Sequence, residues 1–154
     1  FAVDAVSAGV DGVLLVDVPV EEAHEFKPAF DEAGLGTIFL VAPTTDDRRL
    51  PQILELTNGF VYCVSRSGVT GERNGLASGI RENVARVRRL TQLPVAVGFG
   101  ISSREQVSEI GQFADGVVVG SAIVRRIGEG GDTDEMVRQV TEFVRTLTGQ
   151  FIGG

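Results

Sequence analysis

Val95-Ala96-Val97-Gly98-Phe99-Gly100-Ile101-Ser102-Ser103 opens as a short apolar run, passes two glycines and runs into the polar start of a helix. The same plan recurs at Gly116-Val117-Val118-Val119-Gly120-Ser121-Ala122. Working outward, three more runs rich in β-branched residues are found at Gly12–Val18, Thr37–Ala42 and Phe60–Ser65. Their near-continuous apolar character predicts strands buried on both faces, as in a parallel sheet.

Helical patterns lie between these runs. Ser102 with Glu105 reads as a capping box opening a helix through Val107, Ile110 and Phe113. Asp132 with Glu135 opens another, with Met136, Val140, Phe143 and Leu147 on one face. Arg81–Thr91 presents Val84, Val87 and Leu90 at helical spacing. Pro51 fits a first helical turn, whereas Pro28 falls inside the helical pattern Val20–Ala33 and predicts a kink or a split there. The order is α/β throughout, with every strand followed by a helix.

Composition narrows the chemistry. Of 154 residues, 43% are apolar and 23% charged, a globular profile. The net charge of −7 disfavours a nucleic-acid backbone or an anionic membrane as a general partner, while leaving room for a local anion site. The single Cys63 forms no intrachain disulfide, which fits a reducing, cytoplasmic compartment. One histidine, His24, and one lysine, Lys27, fall on what reads as the solvated flank of their helix. A Ser–His–Asp triad, a histidine metal site and a Schiff-base lysine therefore lack support.

Function is expected at the strand exits, because α/β sheets bind ligands at their C-terminal edge. The entrances Asp11-Gly12 and Asp115-Gly116 read as structural turns. The exits Gly98-Phe99-Gly100 and Gly120-Ser121 bring bare backbone N–H groups to helix starts, an arrangement that binds phosphate. Ser121–Ile127 reads as a short extra helix of the kind that completes a phosphate site in eight-stranded barrels. The longest exit, Ser65–Ile80, reads as a binding loop or lid with no helical period before Arg81. Gly98-Phe99-Gly100 lacks the third glycine and the downstream acid of a dinucleotide fingerprint.

These stretches resemble the tryptophan synthase alpha-subunit family. The resemblance rests on Gly12–Pro19, Ala42–Thr45, Tyr62–Gly71 (Tyr-Cys-Val-Ser-Arg-Ser-Gly-Val-Thr-Gly), Val97–Ser103 and Val119–Val124, in family order. It implies a TIM (β/α)8 barrel, of which residues 1–154 would form the C-terminal part of a single domain, strands four to eight. It implies retro-aldol cleavage of indole-3-glycerol phosphate to indole and glyceraldehyde 3-phosphate, without metal or cofactor. The implied partner is the beta subunit, which carries pyridoxal phosphate.

Residue by residue, the resemblance makes Gly71, Gly100, Gly120 and Ser121 the phosphate cradle. It makes Leu14, Tyr62 and Phe99 walls of the indole pocket, Thr70 a closing residue of the mobile loop, and Asp17 the acid facing the partner. The family's catalytic glutamate and aspartate belong to a region preceding the matched one. Among the exits only Asp17, Arg66 and Tyr62 offer proton chemistry, and none matches that pair. Two alternatives stay open: a form that binds phosphate or the beta subunit without turnover, and another phosphate-binding barrel isomerase. A barrel of this kind needs eight strands and typically about 250 residues. Five strands and a first residue Phe1, with Met136 the only methionine, point to a portion of a longer polypeptide, with roughly 100 residues upstream.

Overall fold

The computed structural model describes residues 1–65 and 73–149, with side chains described for all of these except 73–78. After a first helix α1 (Ala2–Ser7), strands β1 (Gly12–Leu15), β2 (Gly36–Val41), β3 (Val61–Val64), β4 (Val95–Gly98) and β5 (Gly116–Val118) alternate with helices. The helices are α2 (Lys27–Ala33), α3 (Leu50–Leu56), α4 (Arg73–Arg88), α5 (Arg104–Ile110), α6 (Ser121–Gly128) and α7 (Thr133–Thr148). The five strands form one parallel sheet in sequence order, β1 to β5. Every expected strand is present; β2 is as long as its apolar run and begins one residue earlier, and the other four are shorter than theirs.

The register separates the two faces of the sheet. Phe39, Val41, Val61, Cys63, Val95 and Val97 face the helices and form the core with Leu50, Ile53, Val84, Val87 and Ile110. The pairings Leu14↔Ile38, Leu40↔Tyr62, Tyr62↔Ala96 and Gly98↔Val118 place those residues on the opposite face. Burial on both faces holds for the middle strands only. At one edge Leu14 is 41% exposed, and at the other all three residues of β5 are half-buried. An edge strand packs against one neighbour, so the apolar run that predicts a buried strand overstates its burial here.

At the sheet entrances, expected to be structural turns, the acid–glycine pairs are held by bonds across to the neighbouring strand. The carbonyl of Asp11 accepts the Gly36 N–H at 2.8 Å, and a Cβ at residue 36 would stand 2.9 Å from that oxygen. Asp115 accepts the Val95 N–H on its carboxylate and donates its own N–H to the Val95 carbonyl, both at 2.8 Å. The Pro28 break is also present: a 3₁₀ turn over Val20–Glu25 gives way at Phe26 to α2, with the proline in its first turn.

Three local expectations are corrected. The cap of α5 is Ser103, not Ser102, and its box partner is Gln106, not Glu105. The Gln106 side chain accepts from both the Ser102 and Ser103 N–H groups, so a glutamine one residue further on closes the box. Helix α4 starts at Arg73, not Arg81, and ends before Leu90, which is 54% exposed. Once the buried Val84–Val87 turn is nucleated, adding preceding residues requires only propagation, which an apolar period does not report. Lys27 is not on a solvated flank: its side chain is 13% exposed and pairs with Asp31 one turn on. His24 is exposed, with Nδ1 at 2.9 Å from the Glu21 carbonyl.

Candidate functional site

All five exits open on the same edge of the sheet, because the strands are parallel. Pairing of β4 with β5 through Gly98↔Val118 sets the Gly98-Phe99-Gly100 turn beside the start of α6. Gly120 is the N-cap of α6, and no side chain caps that helix. The first bonds of the helix go from the Ile123 and Val124 N–H groups to the Gly120 carbonyl, at 2.9 and 3.1 Å. The N–H groups of Ser121 and Ala122 precede that ladder and point out of the helix start, where a helix favours an anion. Gly120 and Ser121 are both exposed. The short extra helix expected from Ser121 is therefore present, and a separate capped helix follows it, with the Asp132 carboxylate accepting the Glu135 N–H at 3.0 Å.

The fourth exit is strained in a specific way. Phe99 has φ +93°, the one positive value for a non-glycine residue among the described residues, and Gly100 follows with φ +76°. A bulky side chain in that region is uncommon and costs of order 1–3 kcal/mol unless its surroundings fix it. The Phe99 carbonyl accepts a hydrogen bond of 2.5 Å from the Ser65 hydroxyl, and the Gly98 carbonyl accepts the Ser65 N–H at 2.8 Å. Ser65 is itself buried. Nothing in the composition of either exit announces this bond, or a role for the Ser65 side chain.

The residues expected to wall an apolar pocket divide by exposure. Leu14 and Tyr62 share the face of the sheet away from the core, while Phe99 extends the edge and is 62% exposed. Tyr62 is 8% exposed, and burial pushes its phenol above the usual range, which makes it a poor base. Asp17 is exposed beyond β1. Cys63 faces the core; burial pushes its thiol up to about 12, partly opposed by Arg86. Arg66, Thr70 and Gly71 lie outside the described residues. Among the described residues no group of three or more His, Cys, Asp or Glu side chains could hold a metal ion. No described helix is long and apolar enough to cross a membrane.

The family model of the tryptophan synthase alpha chain matches residues 1–151. The chain belongs to that family. A tryptophan synthase alpha chain from Geobacter sulfurreducens is 50% identical over 147 residues, 96% of this chain and 55% of the relative. One from Erythrobacter litoralis is 52% identical over 131 residues, 85% of this chain and 51% of the relative. The chain thus spans about half the length of these curated tryptophan synthase alpha chains. A structure on mutual activation of the tryptophan synthase a2b2 complex from Pyrococcus furiosus superimposes with a TM-score of 0.85 at 44% identity. That match covers 97% of this chain and 60% of the other. A mutant tryptophan synthase alpha-subunit from the same hyperthermophile gives 0.82 at 42% identity, covering 97% and 59%. The parallel sheet is an arc of the family's TIM barrel.

Proposed function

We propose that the exit edge is the binding part of an indole-3-glycerol phosphate lyase, the alpha subunit of a tryptophan synthase. The observation that carries this is the adjacency of two exits. The uncapped start of α6 follows the strand paired with the one that leads into the Gly98-Phe99-Gly100 turn, which supports reading the amides of Gly100, Gly120 and Ser121 as the phosphate contacts. Oriented N–H groups and the positive end of a helix suit a phosphate ester without any lysine at hand. Gly71 and Thr70 would close the cradle from the third exit.

Leu14, Tyr62 and Phe99 supply flat apolar surface for an indole ring. Retro-aldol cleavage then requires a proton delivered to the ring and another removed from the glycerol hydroxyl. Asp17 and Tyr62 are not placed as that pair: one is exposed at the first exit and the other is a buried phenol with a raised pKa. The acid–base pair is assigned to the family's glutamate and aspartate, and residues 1–154 alone would bind the ester without cleaving it. In this reading the protein needs no cofactor, acts in the cytoplasm, and hands indole to a beta subunit carrying pyridoxal phosphate, with Asp17 at that contact.

The test is indole release from indole-3-glycerol phosphate by the intact protein, with and without a beta subunit. Release of indole and glyceraldehyde 3-phosphate in equal amounts is expected. An intact, folded protein that neither binds nor cleaves the ester would overturn the assignment.

A further inference from the structure

Ser65 closes the third strand exit and is 3% exposed. Its N–H and its hydroxyl reach two successive carbonyls of the fourth exit, Gly98 at 2.8 Å and Phe99 at 2.5 Å. The first bond extends the β3–β4 ladder by one residue beyond Val64↔Gly98. The second fixes the peptide that follows a positive-φ residue. The Phe99 ring cannot hold that backbone by packing, since the residue is 62% exposed. Constraint comes instead from Ile101, which is 4% exposed and anchors the chain beyond the turn, and from the Ser65 hydroxyl.

We propose that Ser65 is a positioning residue for the ligand. Its hydroxyl holds Phe99 in the left-handed conformation, which sets the direction of the aromatic side chain and of the Gly100 N–H together. One hydrogen bond would thus align the indole wall with the phosphate cradle, and link the third exit loop to the fourth. The proposal rests on the site reading given above. Serine suits the task because its hydroxyl is a short donor on a single rotor, threonine keeps that donor, and alanine removes it with little change in volume.

The test uses the intact protein and Ser65→Ala and Ser65→Thr variants. Calorimetry gives the Kd for an indole-bearing alkyl phosphate, thermal melting gives stability, and the amide–Hα coupling constant of Phe99 reports its φ. Ser65→Ala is expected to raise Kd about tenfold, equivalent to ~1.4 kcal/mol, with the melting temperature within a few degrees. The Phe99 coupling should shift from its positive-φ value, and Ser65→Thr should recover both readouts. Affinity within twofold of wild type together with an unchanged coupling in Ser65→Ala would overturn the proposal. Should the wild type bind no indole-bearing phosphate, the site reading fails, and the coupling comparison alone still decides whether Ser65 sets Phe99.

Discussion

The Tyr62 hydroxyl occupies the place where a side chain at residue 98 would begin. A Cβ at Gly98 would stand 2.0 Å from that oxygen, 2.5 Å from the Tyr62 Cζ and 3.0 Å from the Val118 Cβ. Residue 98 is therefore glycine for space, and Tyr62 is held against the strand that carries the Phe99 turn.

Gly98→Ala should destabilise the fold by about 1–3 kcal/mol, the usual penalty for overpacking a tight core site. Combined with Tyr62→Ala, the loss should fall short of the sum of the two single losses by at least about 0.5 kcal/mol, because each change relieves the other. Urea denaturation of the four proteins checks this. Strict additivity would show that the two side-chain positions do not compete for space.

The corrected cap gives a paired test. Ser103→Ala should cost about 1 kcal/mol, since its hydroxyl accepts the Gln106 N–H at 3.3 Å, whereas Ser102→Ala should change stability little. Equal losses at both positions in denaturant melts would contradict the cap as described.

Asp115 links the β4 entrance to α4. Its carboxylate accepts the Val95 N–H at 2.8 Å and pairs with Arg88 at 2.9 Å. The backbone hydrogen bond first, and Arg88 second, hold its carboxyl below the usual range. A depressed folded pKa stabilises above the unfolded value, near 3.9, and that stability is lost as pH falls through the folded value. Asp115→Asn should therefore lower stability by about 1 kcal/mol at neutral pH, discounted for exposure, with the gap to wild type closing in acid. A gap independent of pH would refute the linkage.

Gly120 separates binding from folding. A Cβ there meets nothing within 4 Å, and its φ of −111° is open to any residue. Gly120→Leu should change stability by no more than about 1 kcal/mol, while raising the Kd for a phosphate ester at least tenfold, about 1.4 kcal/mol, by blocking approach to the α6 amides. Lys27→Ala, remote from the exit edge and paired with Asp31, should leave that Kd unchanged. Unchanged affinity in Gly120→Leu by calorimetry would remove α6 from the site.

Strand order and exit positions were legible because β-branched runs, acid–glycine entrances and glycine exits are local signals. The extra helix at Ser121 and the split at Pro28 were legible for the same reason. The start of α4 was not, since residues 73–80 carry no apolar period and join the helix by propagation. The Ser103 cap was missed because Ser102-Ser103 offers two hydroxyls, and only the reach of Gln106 chooses between them. The Ser65 bond to Phe99 spans 34 residues and has no local signature. The low exposure of Lys27 has none either, although its ion pair with Asp31 is an i,i+4 contact. Thr70 and Gly71, expected at the third exit, fall outside the described residues.

The most direct measurement is a crystal structure of the intact protein soaked with indole-3-glycerol phosphate. The phosphate should accept hydrogen bonds from the backbone N–H groups of Gly100, Gly120 and Ser121, with the indole against Leu14, Tyr62 and Phe99. The comparison position is the cleft of about 490 Å³ beside α4, lined by Pro43, Glu82, Asn83, Arg86 and Arg89. Phosphate bound in that cleft, with the exit edge empty, would contradict the assignment.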